Sequence, residues 1–118
     1  MQSVAILGAS KDRAKFGNKS LRAHLAAGYE VLPIHPQETE IEGLAAYPSL
    51  AALPHAVERI SVYLPPPVAL ALLPEIARTG AREVWFNPGA ADAAVLAEAR
   101  RLGIAAIDGR SIVDLGLS

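Results

Sequence analysis

The sequence predicts an α/β fold: a Rossmann-like, doubly wound parallel sheet of five strands, with helices on both faces. Three observations predict it. Short apolar runs alternate with amphipathic segments of helix length along the whole chain. The apolar runs are near-continuous, as strands covered on both faces are. Gly28, Gly80 and Gly103 each follow a helical segment, where a glycine ends a helix readily.

Ser3 to Leu7 is the first apolar run, and Gly8 stops it. Lys19 to Ala27 reads as the first helix, with Asn18 as N-cap and Leu21 and Leu25 four residues apart. Glu30 to Ile34 is the second strand, ended by Pro36. Gln37 to His55 is a polar, mixed excursion with room for a short helix at Ser49 to Leu53. Ile60 to Leu64 is the third strand, and the run Pro65-Pro66-Pro67 ends it because proline cannot donate to a ladder. Val68 to Thr79 is a helix with Ala69, Leu72, Leu73 and Ile76 at helical spacing. Glu83 to Phe86 is the fourth strand, Ala91 to Leu102 a further helix, and Ile104 to Ile107 the fifth strand. A short terminal helix is expected from Ser111. Right-handed crossovers and the strand order 3-2-1-4-5 are the expected topology.

The chain has 118 residues, which suits one domain spanning residues 1–118. At 52% hydrophobic and 19% charged it can bury a core, and it lacks the profile of a disordered chain. A formal charge of −1 gives no global attraction to nucleic acid or anionic lipid. With no cysteine, thiolate catalysis and Cys-based metal sites are excluded. No apolar run approaches the roughly 20 residues that span a bilayer. No nucleic-acid or membrane partner is expected, and a cytoplasmic location is the default.

Function concentrates at the strand ends. In an open doubly wound sheet, ligands bind beyond the carboxyl ends of the strands, where strand order reverses. With the order above, the first and fourth strand ends flank that crevice. Gly8-Ala9-Ser10 follows the first strand; Gly8 permits a sharp turn and a close ligand, and Ser10 offers a hydroxyl. The next helix brings unpaired N–H groups and a positive dipole end, which suit phosphate. Lys11, Arg13, Lys15, Lys19 and Arg22 crowd one twelve-residue window in which Asp12 is the sole acid. A solvated charge run is the plain alternative for these residues. The next glycine after Gly8 is Gly17, so the dinucleotide fingerprint is incomplete. The second strand also ends Ile34-His35-Pro36, without the ribose-binding acid of a dinucleotide enzyme, which disfavours NAD.

Gly8-Ala9-Ser10, the stretch Gly28-Tyr29-Glu30-Val31-Leu32-Pro33-Ile34-His35-Pro36, and Val84-Trp85-Phe86-Asn87-Pro88-Gly89 form a set. Over essentially its whole length the chain resembles the small stand-alone CoA-binding proteins. That family is similar to the N-terminal CoA-binding domain of the succinyl-CoA synthetase alpha subunit. The resemblance implies coenzyme A, or an acyl-CoA, lying across the strand ends with its phosphates near the first turn. It carries binding roles onto Gly8, Ala9 and Ser10, onto His35 and Pro36, onto Leu64, Pro65, Pro66 and Pro67, and onto Asn87, Pro88 and Gly89. The physical reading adds Lys11 and Lys15 as cations for the phosphates. The chain departs from the family pattern at His35, where Asn is usual, at Asn87-Pro88-Gly89, and at Asp108-Gly109-Arg110-Ser111 in place of an Asp-Arg-Cys ending.

No catalytic constellation stands out. His24 reads as a surface residue of a helix, His55 as a loop residue without a partner, and His35 as a turn residue facing the crevice. Ser10 lacks an identifiable base, so hydrogen bonding to phosphate explains it better than nucleophilic attack. Asp108 reads as a cap for the terminal segment. Tyr63, Trp85 and Phe86 read as core or interface. The three prolines either start a helix or form a rigid wall beside the ligand. The leading expectation is coenzyme A binding without chemistry. A small NAD(P)- or acyl-CoA-dependent enzyme or subunit, using Ser10, His35 or Asn87, is the alternative, and a bare interaction domain is a third. The sequence identifies no protein partner.

Overall fold

In the computed structural model, which describes residues 2–116, the chain forms seven strands and four α-helices. In chain order they are β1 (Ser3–Leu7), α1 (Phe16–Ala26), β2 (Glu30–Ile34), β3 (Glu40–Ile41), β4 (Leu44–Ala45), β5 (Arg59–Val62), α2 (Pro66–Thr79), β6 (Glu83–Phe86), α3 (Ala93–Arg101), β7 (Ala106–Asp108) and α4 (Ser111–Asp114). A short 3-10 turn spans Leu50–Ala52. Five strands make one parallel sheet in the order β2-β1-β5-β6-β7. The doubly wound α/β class is as the sequence predicts.

The strand order is not. Counting only the parallel strands it is 2-1-3-4-5, the other common doubly wound arrangement, rather than 3-2-1-4-5. Pro33 supplies the reason. The Tyr47 N–H donates to Pro33 O at 2.9 Å, and the His35 N–H donates to Tyr47 O at 2.9 Å, so this side of β2 faces away from β1. In a regular strand the N–H and C=O of one residue point the same way, so the missing proline donor lies on that outer side. A proline there suits an edge strand and not a central one. The third parallel strand therefore pairs with the free side of β1, and the reversal of strand order falls between β1 and β5. The first and third strand ends flank the crevice.

The two faces of the sheet differ in chemistry. Alternation along β1 sends Ala5 and Leu7 to one side and Val4 and Ile6 to the other. The first side meets Ala69, Leu73 and Ile76 of α2 and Val95 and Ala99 of α3, with Ile60, Val62, Val84 and Phe86 from the sheet. It is wholly apolar and holds most of the core. The second side is covered by α1, whose Leu21 packs on Val4 and Ile6, and by α4, which lies against α1.

A polar layer lies buried on that second side. Arg59 is only 5% exposed, and its guanidinium stands between the rings of Tyr29 and Trp85, 5.3 Å from each centroid. It pairs with Glu83 of β6 at 3.0 Å and with Asp114 of α4. Paired and hydrogen-bonded charge is the form in which burial is tolerated. Ser61, Ser111 and Asn87 continue the layer: the two hydroxyls are 2.7 Å apart and the Asn87 amide donates to Ser61 Oγ at 2.9 Å.

Several local expectations are corrected. Helix α1 starts at Phe16, with Lys15 in the N-cap position, so Asn18 lies inside the helix and is buried. The excursion after β2 contains the β3–β4 hairpin, which two-residue strands leave invisible in the sequence. His55 has a partner, Glu30 at 2.9 Å, and its pKa is raised by the Ala56 carbonyl and then by that carboxylate. Asp108 ends β7, and the N-cap position of α4 belongs to Arg110. Pro66 and Pro67 open α2, whose N-cap is Pro65.

His24 is the largest of these corrections, since it is fully buried. The ring packs edge-on against Tyr29, donates from Nδ1 to Ser20 O at 2.8 Å, and turns Nε2 towards Arg59 at 3.5 Å. Burial, then the Arg59 charge, lowers its pKa against the pull of the Ser20 carbonyl and Asp114. The folded protein thus takes up a proton at His24 less readily than the unfolded chain does. Stability from this residue is present above the ordinary histidine range and is lost as pH falls through it towards the folded pKa. Chemical denaturation of the wild type and of His24→Gln between about pH 7 and pH 5 should show a shallower loss in the variant. The difference should not exceed about 1.4 kcal/mol per pH unit, the limit for one proton. Identical slopes would mean that His24 takes up its proton as readily in the fold as in the unfolded chain.

Candidate functional site

The site begins with two glycines in contact. Gly8 leaves β1 with φ +93, a conformation that side chains rarely adopt, and a Cβ there would meet Tyr63 O at 2.7 Å. Gly17 sits in the first turn of α1, and its Cβ would fall 2.3 Å from the Gly8 carbonyl oxygen. Only two residues without side chains let the helix start this close to the strand it follows. The loop between them is braced from both ends. Ser10 Oγ accepts the Asp12 N–H at 3.0 Å, and Asp12 Oδ1 accepts the Ala14 N–H at 3.0 Å. Asn18 of α1 donates to Ser10 O at 2.9 Å, and Arg22 reaches back to Asn18 Oδ1 at 2.7 Å and to Arg13 O at 3.0 Å. The N-cap of α1 carries no side-chain hydrogen bond, and the Asn18 N–H donates to Lys15 O at 3.1 Å, so the uncapped donors at this end are those before Asn18.

A cleft of about 350 Å³ opens at this point. Gly8, Lys15, Phe16 and Gly17 form one side, Tyr63, Leu64 and Pro65 after β5 the floor, and Pro88, Gly89 and Ala90 after β6 the far side. It lies beside the β1–β5 junction where strand order reverses. A larger pocket of about 700 Å³ adjoins it, sharing Phe16, Tyr63 and Pro88. Its remaining walls are Lys19, Arg22 and Ala23 of α1, Asn87, and Arg110, Ile112 and Val113 at the C-terminal helix.

The structure thus gathers Gly8, Lys15, Leu64, Pro65, Pro88 and Gly89 around one cleft and places Asn87 on the neighbouring pocket. Ala9 is buried against the core under α1. Lys11 turns away to Glu38 at 2.6 Å, an exposed pair that raises the pKa of Lys11 and lowers that of Glu38. Arg13 likewise approaches Glu42 at 3.6 Å. Much of the loop's positive charge is therefore balanced by acids of the excursion after β2. His35 Nδ1 accepts the N–H groups of Gln37 and Glu38 at 3.0 and 2.9 Å, which fixes the turn that begins at exposed Pro36. Pro66 and Pro67 belong to α2 and do not line the cleft, whereas Pro65 does both of the things the proline run suggests. Asn87 uses its amide inside the fold, donating to Val62 O at 2.9 Å and accepting the Ser111 N–H at 3.0 Å.

Sequence reasoning missed Gly17, Phe16, Tyr63 and Arg110 as residues of this region. Gly17 carried a signal, since a second glycine at the start of the helix implies close approach even without the full fingerprint. Tyr63 carried only an indirect signal, through Pro33, because its placement depends on β5 lying beside β1. Arg110 stood in the Asp108-Gly109-Arg110-Ser111 departure, but its place depends on how α4 packs after β7.

Comparison with known proteins agrees with the fold. Residues 2–115 match the model of a family described as CoA binding domain. A conserved hypothetical protein from Pyrococcus furiosus is 37% identical, with a TM-score of 0.88 over 97% of this chain and 99% of that one. A structure from Thermus thermophilus is 28% identical, with a TM-score of 0.88 over 96% of this chain and 87% of its own. A dinucleotide-forming acetyl-coenzyme A synthetase 1 of Ca. Korarchaeum cryptofilum shares the fold at 24% identity and a TM-score of 0.79, where 92% of this chain covers 25% of that protein.

The Gly8–Gly17 contact yields a test with an unusual sign. In an ordinary helix Gly→Ala stabilises by about 1 kcal/mol. Here Gly17→Ala should destabilise by about 2–4 kcal/mol, because the Gly8 backbone must move. Urea denaturation with circular dichroism reads the difference. A stabilised variant would show that α1 has room to spare at its start.

Proposed function

The chain belongs to the CoA binding domain family, and from that premise we propose that it is a binding module for coenzyme A or an acyl-CoA, without chemistry of its own. The observation that carries this reading is the Gly8–Gly17 contact, which presents the uncapped start of α1 to a cleft at the reversal of strand order. A diphosphate there would gain backbone N–H bonds and the helix dipole, with Lys15 beside it as a charge-assisted donor. Lys11 would reach the phosphates only by leaving Glu38. The loops bearing Leu64, Pro65, Pro88 and Gly89 would wall the ligand.

A binding role suits the way the polar groups are spent. Ser10 Oγ, the His35 ring and the Asn87 amide all hold backbone in place. None of them has the base or acid partner that nucleophilic or proton-transfer chemistry needs. The end of β2 also favours coenzyme A over a dinucleotide, because His35 stands where a ribose-binding acid would be.

The purified protein, denatured and examined by mass spectrometry, should release coenzyme A or an acyl-CoA. Added coenzyme A should raise the melting temperature by roughly 10 °C at about 100 times its Kd, equivalent to about 2.7 kcal/mol. NAD and NADP at the same concentration should do much less; an equal or larger shift with either would overturn the reading. Lys15→Ala should weaken coenzyme A about tenfold. Lys11→Ala should change it little while Glu38 holds that ammonium.

A further inference from the structure

The larger pocket carries a charge that the fold does not balance. Lys11 and Arg13 face Glu38 and Glu42, but Lys19, Arg22 and Arg110 have no carboxylate partner among the described residues. Arg22 is held in place by two neutral acceptors, Asn18 Oδ1 and Arg13 O, which orient its guanidinium without cancelling it. Lys19 stands 4.9 Å from the centre of the Phe16 ring. All three cations line one pocket.

The same rim is apolar where solvent reaches it. Phe16 is 61% exposed and Val113 is 55% exposed, the two highest values among the large hydrophobic residues left uncovered. They stand on facing helices, one at the start of α1 and one in α4, with the pocket between them. Exposed apolar groups around a concave site mark a place that something covers. Unpaired cations in the same site favour a covering group that ends in negative charge. A bare apolar ligand would leave the cations unanswered, and a small inorganic ion would leave the aromatic and aliphatic rim uncovered.

We propose that the pocket between α1 and α4 is a second anion-recognising site, in which Lys19, Arg22 and Arg110 hold an oxyanion while Phe16 and Val113 cover the apolar body that carries it. The proposal rests on the coenzyme A reading, because the pocket continues from the cleft through Phe16, Tyr63 and Pro88. A ligand with its diphosphate at the start of α1 can lay one end there. Two groups have the required chemistry. One is a phosphate monoester on a nucleoside, as at the 3′ position of coenzyme A. The other is the terminal carboxylate of a dicarboxylic acyl thioester.

Calorimetry with four ligands separates them: coenzyme A, dephospho-coenzyme A, hexanoyl-CoA and adipoyl-CoA. In the wild type one pair should differ by about tenfold, either coenzyme A over its dephospho form or adipoyl over hexanoyl. Lys19→Gln and Arg110→Gln should each erase most of that difference and leave the other pair's ratio as it was. Both side chains are exposed, so melting temperatures should stay close to wild type. Arg110→Lys, which keeps the charge but not the fork, should retain part of the preference. The inference fails alone if the ligands bind but neither pair differs, or if the variants weaken all four equally. If none of the four binds, the coenzyme A reading fails and takes this inference with it.

Discussion

The carbonyl oxygen of Gly8 lies where residue 17 would carry its Cβ, and much of the molecule follows from that contact. A strand that ends in Gly8 can turn back at once, and a helix that begins with a glycine in its first turn can start directly above the turn. Any side chain at either position would push α1 outward and fill the space between β1 and β5. The loop from Ala9 to Lys15 is then too short and too well tied to wander. Asn18 and Arg22, one turn apart on α1, fasten it from the helix side. The helix start faces the cleft because the backbone leaves it no other place.

The sheet divides its tasks by face. Under α2 and α3 the packing is hydrocarbon only, with Phe86, Leu73 and Ile76 at most 1% exposed. Burial of each such side chain is worth about 1.5–3 kcal/mol. Under α1 and α4 the sheet adds Arg59 and Ser61, with Asn87 just after β6, to the apolar Val4, Ile6 and Val31. The three polar side chains tie the short α4 to the sheet, which four residues of helix could not achieve by hydrophobic burial alone. The pocket walls supplied by Ile112 and Val113 therefore depend on polar bonds made one layer below them.

How legible this was in the sequence can be judged residue by residue. The five parallel strands, their alternation with helices and the terminal helix at Ser111 were all readable, because apolar runs and glycine stops are local signals. The position of β5 was not read, although Pro33 held the information: a proline whose missing donor faces outward marks an edge strand. Placing that strand correctly would have brought Tyr63 to the crevice. His24 and Asn18 looked like surface and cap residues because their partners, Arg59 and Glu42, lie 35 and 24 positions away. The basic loop looked like one patch of charge, yet acids of the β2–β4 excursion divide it into a paired half and an unpaired half. Such long-range pairings leave no periodic trace.

The chain contains one tryptophan, and its position has a practical consequence. Trp85 donates to Glu83 at 2.8 Å, lies 5.3 Å from the Arg59 guanidinium, and packs within 3.4 Å of where Gly109 would carry a Cβ. Of these groups, Gly109 belongs to the C-terminal segment and Arg59 is tied to it through Asp114, so two of the three neighbours of a single indole depend on that segment. Its emission reports one local environment with no second fluorophore of its kind to blur it. The molecule carries an optical gauge for docking of its last helix, readable without any label.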